Sequence, residues 1–195
     1  MVAEVHARAQ RRDRWVSWIV VGVVVVALLL GWLVKTAAEG RAVSYEVDGT
    51  RVRYPVGWMR ATVQPPVLLQ VEDRLAPSFR TTLTLQRRPV PQSGRPLAAV
   101  QQNLALERAR TWTAYRVLGV QEAATIEGRT GMRVTFAYVE TNPDPFLETV
   151  PVVMHGEDFL LPVGNGVYVV TLTAAEANYA QAQKHLRTLV RSLPR

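Results

Sequence analysis

The sequence predicts an α+β fold: a mostly antiparallel sheet with helices packed on both faces, preceded by one transmembrane helix. Three observations predict it. Residues 15–34 read WVSWIVVGVVVVALLLGWLV and contain no ionisable group. Beyond them, apolar and polar residues alternate with period two in stretches separated by glycine turns, the pattern of half-buried strands. Two further stretches change to a helical period of about 3.6 residues. Helices that stand apart from runs of strands indicate α+β layering rather than repeated βα units.

The apolar run comes first in the chain. At about 1.5 Å per residue, roughly 20 residues of helix span the ~30 Å hydrocarbon layer. In lipid a lone segment satisfies its backbone only as a helix, whatever the aqueous propensity of valine. Trp15, Trp18 and Trp32 fall near its ends, where indole favours the headgroup region, and are read as membrane-interface anchors. Ala27 and Gly31 form a small-xxx-small pair, a candidate face for pairing with another helix. Thr36-Ala37-Ala38 offers a leader-cleavage pattern, but the apolar core exceeds the about 7 to 15 residues of a secretory leader, so the segment is read as a retained signal-anchor. Arg8, Arg11, Arg12 and Arg14 precede it, against Lys35 and Arg41 close behind. That bias keeps the N-terminus in the cytoplasm. The expected organisation is a cytoplasmic tail at 1–14, the transmembrane helix at 15–34, a linker at 35–41 and an extracytoplasmic domain at 42–195, held at the cell membrane by a single pass.

Within 42–195, Val43, Tyr45 and Val47 alternate with polar residues, and Asp48-Gly49 supplies the positive-φ turn into Arg51–Tyr54. Phe79, Thr81, Leu83 and Leu85 oppose Arg80, Thr82, Thr84 and Gln86; Met132, Val134, Phe136 and Tyr138 repeat the pattern after a turn at Gly128–Gly131. Gly156 and Gly164-Asn165-Gly166 mark two further reversals. VYVVTLT at 167–173 is apolar on both faces and predicts a central strand covered on both sides. One helix starts at Pro96, with Leu97, Val100 and Leu104 as its stripe, and ends near Arg110. A second starts at Thr173-Ala174-Ala175-Glu176, read as a capping box, carries Tyr179, Ala182, Leu186, Leu189, Val190 and Leu193, and stops at Pro194.

Candidate chemistry is sparse. The chain has no cysteine, which removes disulfides, thiolate metal sites and thiol nucleophiles. Of its three histidines, His6 lies in the tail, leaving His155 and His185. No G-x-S-x-G, H-E-x-x-H or phosphate-loop pattern occurs. His155-Gly156-Glu157-Asp158 groups an imidazole with two carboxylates, but one nitrogen with diverging neighbours falls short of a zinc site, and the segment is read as an exposed hairpin tip. No catalytic, metal or cofactor residue is therefore assigned. The 23 basic residues against 16 acidic are scattered, with Arg87-Arg88 the one adjacent basic pair in the domain, so nucleic acid is not expected as a partner. Trp58, behind Pro55 and Gly57, is read as an apolar cap on the end of the core. The proline-stiffened loops at 88–96 and 141–149 are the partner-contact candidates, with Pro143, Pro145 and Phe146 singled out.

The order of parts resembles the PsbP/DcrB-like α+β domains over residues 42–195. The likeness rests on a starting hairpin, a Tyr-Pro-x-x-Trp strand exit (Tyr54, Pro55, Trp58) and a mid-chain helix after a proline-rich loop. It continues in a glycine hairpin and a last strand entering a helix that closes with Arg191-Ser192-Leu193. The resemblance implies a non-catalytic accessory or assembly role, as in lumenal extrinsic subunits of photosystem II and periplasmic lipoproteins. This chain departs from the lipoproteins in carrying an apolar helix where they carry a lipidated cysteine. The expected partners are the lipid bilayer and an integral membrane protein or membrane complex, with homo-oligomerisation left open. A small-ligand-binding or hydrolytic domain with an unrecognised cleft is the alternative.

Overall fold

The computed structural model describes residues 18–34, 41–75, 79–90, 94–141 and 151–194. The chain divides into two compact units, Met1–Arg41 and Ala42–Arg195. In the first, residues 18–34 form helix α1, and every residue of it is exposed. Among the described residues no helix is long and apolar enough to cross a membrane; 18–34 alone extends about 25 Å at 1.5 Å per residue. Trp18, Trp32, Ala27 and Gly31 lie on α1, and an added Cβ at Gly31 would meet nothing within 4 Å. Trp15 lies outside the described residues.

The second unit is built on a seven-stranded antiparallel sheet in the order β3-β4-β5-β9-β8-β7-β6, with a separate hairpin, β1-β2. The strands are β1 (Ala42–Val47), β2 (Thr50–Pro55), β3 (Met59–Arg60), β4 (Val67–Asp73), β5 (Thr81–Pro89), β6 (Thr113–Ile126), β7 (Arg129–Glu140), β8 (Val152–Val163) and β9 (Gly166–Ala175). Helix α2 (Pro96–Thr111) carries the chain from β5 to the far edge at β6, and the β6–β9 meander then returns until β9 pairs with β5. Helix α3 (Glu176–Ser192) ends the domain.

The expected hairpin forms, with Asp48 and Gly49 at φ 51° and 69°, the left-handed pair that matches strand twist. Strand β9 is buried at every position and lies between β5 and β8, as its two-sided apolar pattern requires. Alternation sorts its residues by face. Tyr168, Val170, Leu172 and Ala174 join Leu83, Leu85, Phe159 and the α3 stripe of Ala182, Leu186, Leu189, Val190 and Leu193. Val167 and Val169 join Met132, Val134, Leu160 and the α2 residues Val100 and Leu104. The helices thus cover opposite faces. Val52 of β2 lies within the α3-side core, and Trp58 packs half-buried against it, 5.0 Å edge-on from the His185 ring. Gly57, at φ 88°, makes the turn that brings Trp58 there.

Two expectations are corrected. Gly156 makes no reversal: it sits mid-strand in β8, paired with Phe136 on one side and Thr173 on the other. It is glycine because an added Cβ would lie 2.1 Å from the Phe136 ring. His155–Asp158 is therefore no exposed tip, and Glu157 and Asp158 are buried. The capping box also fails. Strand β9 continues through Ala175, so the N-cap is Ala175 with no side-chain cap bond, and Thr173 remains extended within the sheet. Strand β6, which showed no clean alternation, was not foreseen; its pairing with β7 is broken by register shifts at three places and most of its residues are exposed.

Gly156→Ala should be among the most destabilising single-methyl additions in the domain. Phe136 is fully buried and cannot swing away, so the loss should be at or above the usual ~1–3 kcal/mol of overpacking. Urea unfolding of the variant checks this, with Gly94→Ala, where the added Cβ meets nothing within 4 Å, as the silent control.

Candidate functional site

The outward residues of β5 explain where a site can form. Thr82, Thr84, Gln86 and Arg88 share the α2 face of the sheet, but α2 packs over β7, β8 and β9 and leaves the β4–β5 part of that face open. The result is a cleft of about 800 Å³ between α2 and the sheet. Gln70 and Glu72 of β4, Thr171 and Thr173 of β9, and Trp112 and Tyr138 at one wall complete it.

Beneath its α2 side lies an ion pair. Arg108 and Asp158 are 7% and 2% exposed, and the guanidinium meets the carboxylate with two parallel hydrogen bonds, Nη1 to Oδ2 and Nη2 to Oδ1, the latter at 2.8 Å. Thr171 closes the network, accepting from Arg108 Nη2 at 3.2 Å and donating to Asp158 Oδ1 at 2.7 Å. Arg108 also lies over the Phe136 ring at 4.4 Å and the Trp112 ring at 5.0 Å. Burial works most strongly against the Arg108 charge, but Asp158 and Tyr115 together outweigh it and the pKa is raised. At the rim, Arg88 donates bidentately to Glu107, and Arg80 pairs with Glu72 at 3.0 Å.

A second network occupies the α3 face. Glu157, 3% exposed, accepts from Arg133 Nε and Nη2 at 2.8 Å each, from the Tyr179 hydroxyl at 2.8 Å and from Gln183 at 3.1 Å. Among the described residues every buried side-chain polar atom has a partner. The two described histidines are on this side: the His155 ring is 5.6 Å from Tyr179, and His185 is against Trp58. Neither lines the cleft.

Strand β6 offers a different kind of surface. It is the end strand of the sheet, and Val117, Leu118 and Val120 stand 39%, 58% and 46% exposed along it. The loop residues Pro143, Pro145 and Phe146 lie outside the described residues.

Sequence reasoning missed Arg108, and it placed Glu157 and Asp158 at an exposed tip rather than in the interior. The signal for Arg108 was its place one turn beyond Leu104, on the same buried stripe of α2. Among the described residues, no group of three or more His, Cys, Asp or Glu side chains is placed to hold a metal ion.

Arg108→Met should cost about 3–5 kcal/mol, because it strands the Asp158 charge in the interior. The double variant Arg108→Met/Asp158→Leu should recover much of that loss in urea unfolding. High pH should also unfold the domain. Tyr138 is pushed up to about 12 by burial and then by Glu140, and Tyr179 to about 12 by burial and then by Glu157. Both favour the neutral phenol when folded, so their contribution is intact below pH ~10, the unfolded value, and is lost as pH rises toward ~12. Tyrosinate absorbance followed with circular dichroism checks it, and Tyr138→Phe should flatten the slope.

No family model matches the chain, and no curated protein matches it in sequence. Solved structures do. The solution structure of cyanobacterial PsbP (CyanoP) from Synechocystis sp. PCC 6803 matches with a TM-score of 0.50 at 13% identity, over 78% of this chain and 91% of that one. The crystal structure of the Ran-binding protein Mog1p from Saccharomyces cerevisiae matches with a TM-score of 0.50 at 12% identity, over 79% and 95%. At that identity the likeness is one of architecture, and the chain carries a PsbP-like α+β fold.

Proposed function

We propose that this chain is a membrane-tethered, non-catalytic accessory subunit whose extracytoplasmic domain docks onto an integral membrane protein or membrane complex. The observation that carries the reading is β6, a 14-residue end strand paired on one side only, with β7, that presents Val117, Leu118 and Val120 to solvent. Edge strands with exposed apolar side chains are sites of protein contact. A fold neighbour, Mog1p, is by name a Ran-binding protein, which supports protein docking as a use of this architecture.

The tether is supported by α1. Its large side chains, Trp18 to Val34, are all between 48% and 73% exposed, and they occur on every side of the helix. A helix apolar all round belongs in lipid or in a protein interior. The apolar sequence extends back through Trp15, which brings the run to the length of a bilayer crossing. The arginines ahead of it favour a cytoplasmic N-terminus and an exported domain.

Gentle solubilisation of the intact chain and affinity capture test the reading. A membrane protein should co-purify with the native chain and be lost with Leu118→Lys/Val120→Lys, while the melting temperature stays near native because both sites are exposed. Retention of the partner by that variant, or protection of the domain from protease added outside intact spheroplasts, would overturn it.

A further inference from the structure

The cleft on the α2 face is distinct from the β6 edge, and its chemistry points to a different ligand. Strand register aligns its floor into rows: Glu72, Thr82 and Thr173 lie opposite one another across β4, β5 and β9, and Gln70, Thr84 and Thr171 form the next row. Four threonines therefore make a two-by-two grid, spaced roughly 4.8 Å across strands and about 6.7 Å along them.

The cations around this grid are each paired with a carboxylate. Arg108 is held by Asp158, Arg88 by Glu107 and Arg80 by Glu72, so an anionic ligand would meet a competing carboxylate at each guanidinium. Glu140 at the rim is pushed above the usual carboxylate range by burial, against the opposing field of Arg80. Thr171 is committed to Asp158, and Thr173 to the Tyr138 hydroxyl. What stays available is neutral. Among the described residues, the Thr82 and Thr84 hydroxyls are not engaged by another side chain. The amide groups of Gln70 and Gln86 each use one end within the cleft wall, in bonds to Glu72 and from Arg88.

We propose that this cleft binds an uncharged, hydroxyl-rich ligand, an oligosaccharide. Sugar hydroxyls both donate and accept, as do the free threonine hydroxyls and glutamine amides. The CH faces of a pyranose match the threonine methyls and the aromatic wall of Trp112 and Tyr138. An extended peptide gains its affinity from a free strand edge, and here β5 and β9 are paired on both sides. The volume of about 800 Å³ is in the range of ligand sites.

The test uses the full chain in nanodiscs of phosphatidylcholine, which removes sugar-headed detergents. Maltohexaose, cellohexaose and chitohexaose are titrated by calorimetry, beside inorganic phosphate and a neutral hexapeptide. At least one oligosaccharide should bind, Thr82→Val/Thr84→Val should weaken it at least tenfold, and Thr82→Ser/Thr84→Ser should keep it within about threefold. Gln86→Leu, on the same face but half-exposed, provides a second loss-of-binding variant should the valine pair unfold. Binding by none of the three sugars, unchanged binding in both loss variants, or stronger binding of the peptide or of phosphate at these residues overturns the proposal.

Discussion

Two consecutive buried carboxylates in the middle of β8 hold the domain together. A strand sends successive side chains to opposite faces, so Glu157 points under α3 and Asp158 under α2. Each would be untenable alone, since an unpaired interior carboxylate costs several kcal/mol. Each is instead met by a guanidinium, Arg133 from the neighbouring strand and Arg108 from α2. Tyr179 and Gln183 add the α3 side of the first network. One dipeptide therefore ties both helices to the same point of the sheet.

That tie determines where the open surface lies. Apolar packing alone would let α2 slide along a face lined by Val167, Val169, Leu160 and Val134, because dispersion and burial are not directional. The bidentate bond from Arg108 to Asp158 is directional, and it seats α2 over β8 and β9. The β4–β5 half of that face then has no helix above it. Its residues are compatible with exposure: Thr82, Thr84 and Gln86 need no apolar cover, whereas Leu83 and Leu85 on the other face are fully buried beneath α3 and the β1–β2 hairpin.

The architecture was legible in the sequence wherever one face is buried and the other is wet. The α3 stripe, the β5 and β7 alternations and the two-sided apolar run of β9 all follow from burial that the residues report directly. Strand β6 was hidden because it is an edge: with register shifts along its pairing and both faces largely exposed, nothing forces Val117, Leu118 and Val120 into alternation. Gly156 misled for a related reason. Glycine signals a turn when its φ is positive, but here it makes room for the Phe136 ring directly across the ladder. The Thr173–Glu176 spacing suited a capping box, yet pairing of Thr173 with Thr82 and Gly156 held it in the strand. The ion pairs were illegible because Arg108 and Asp158 are 50 residues apart and meet only after the crossover.

The same division explains how a chain can share this architecture with CyanoP and Mog1p at 12–13% identity. Fold is specified by the inward positions, where hydrophobicity and volume suffice and many residues substitute for one another. The outward positions over β4 and β5 bear no core constraint, so Thr82, Thr84, Gln86 and Arg88 are free to be chosen for what they contact. A binding surface on this fold can therefore change its ligand without disturbing the sheet beneath, and its specificity must be read from the side chains of each chain rather than from the architecture.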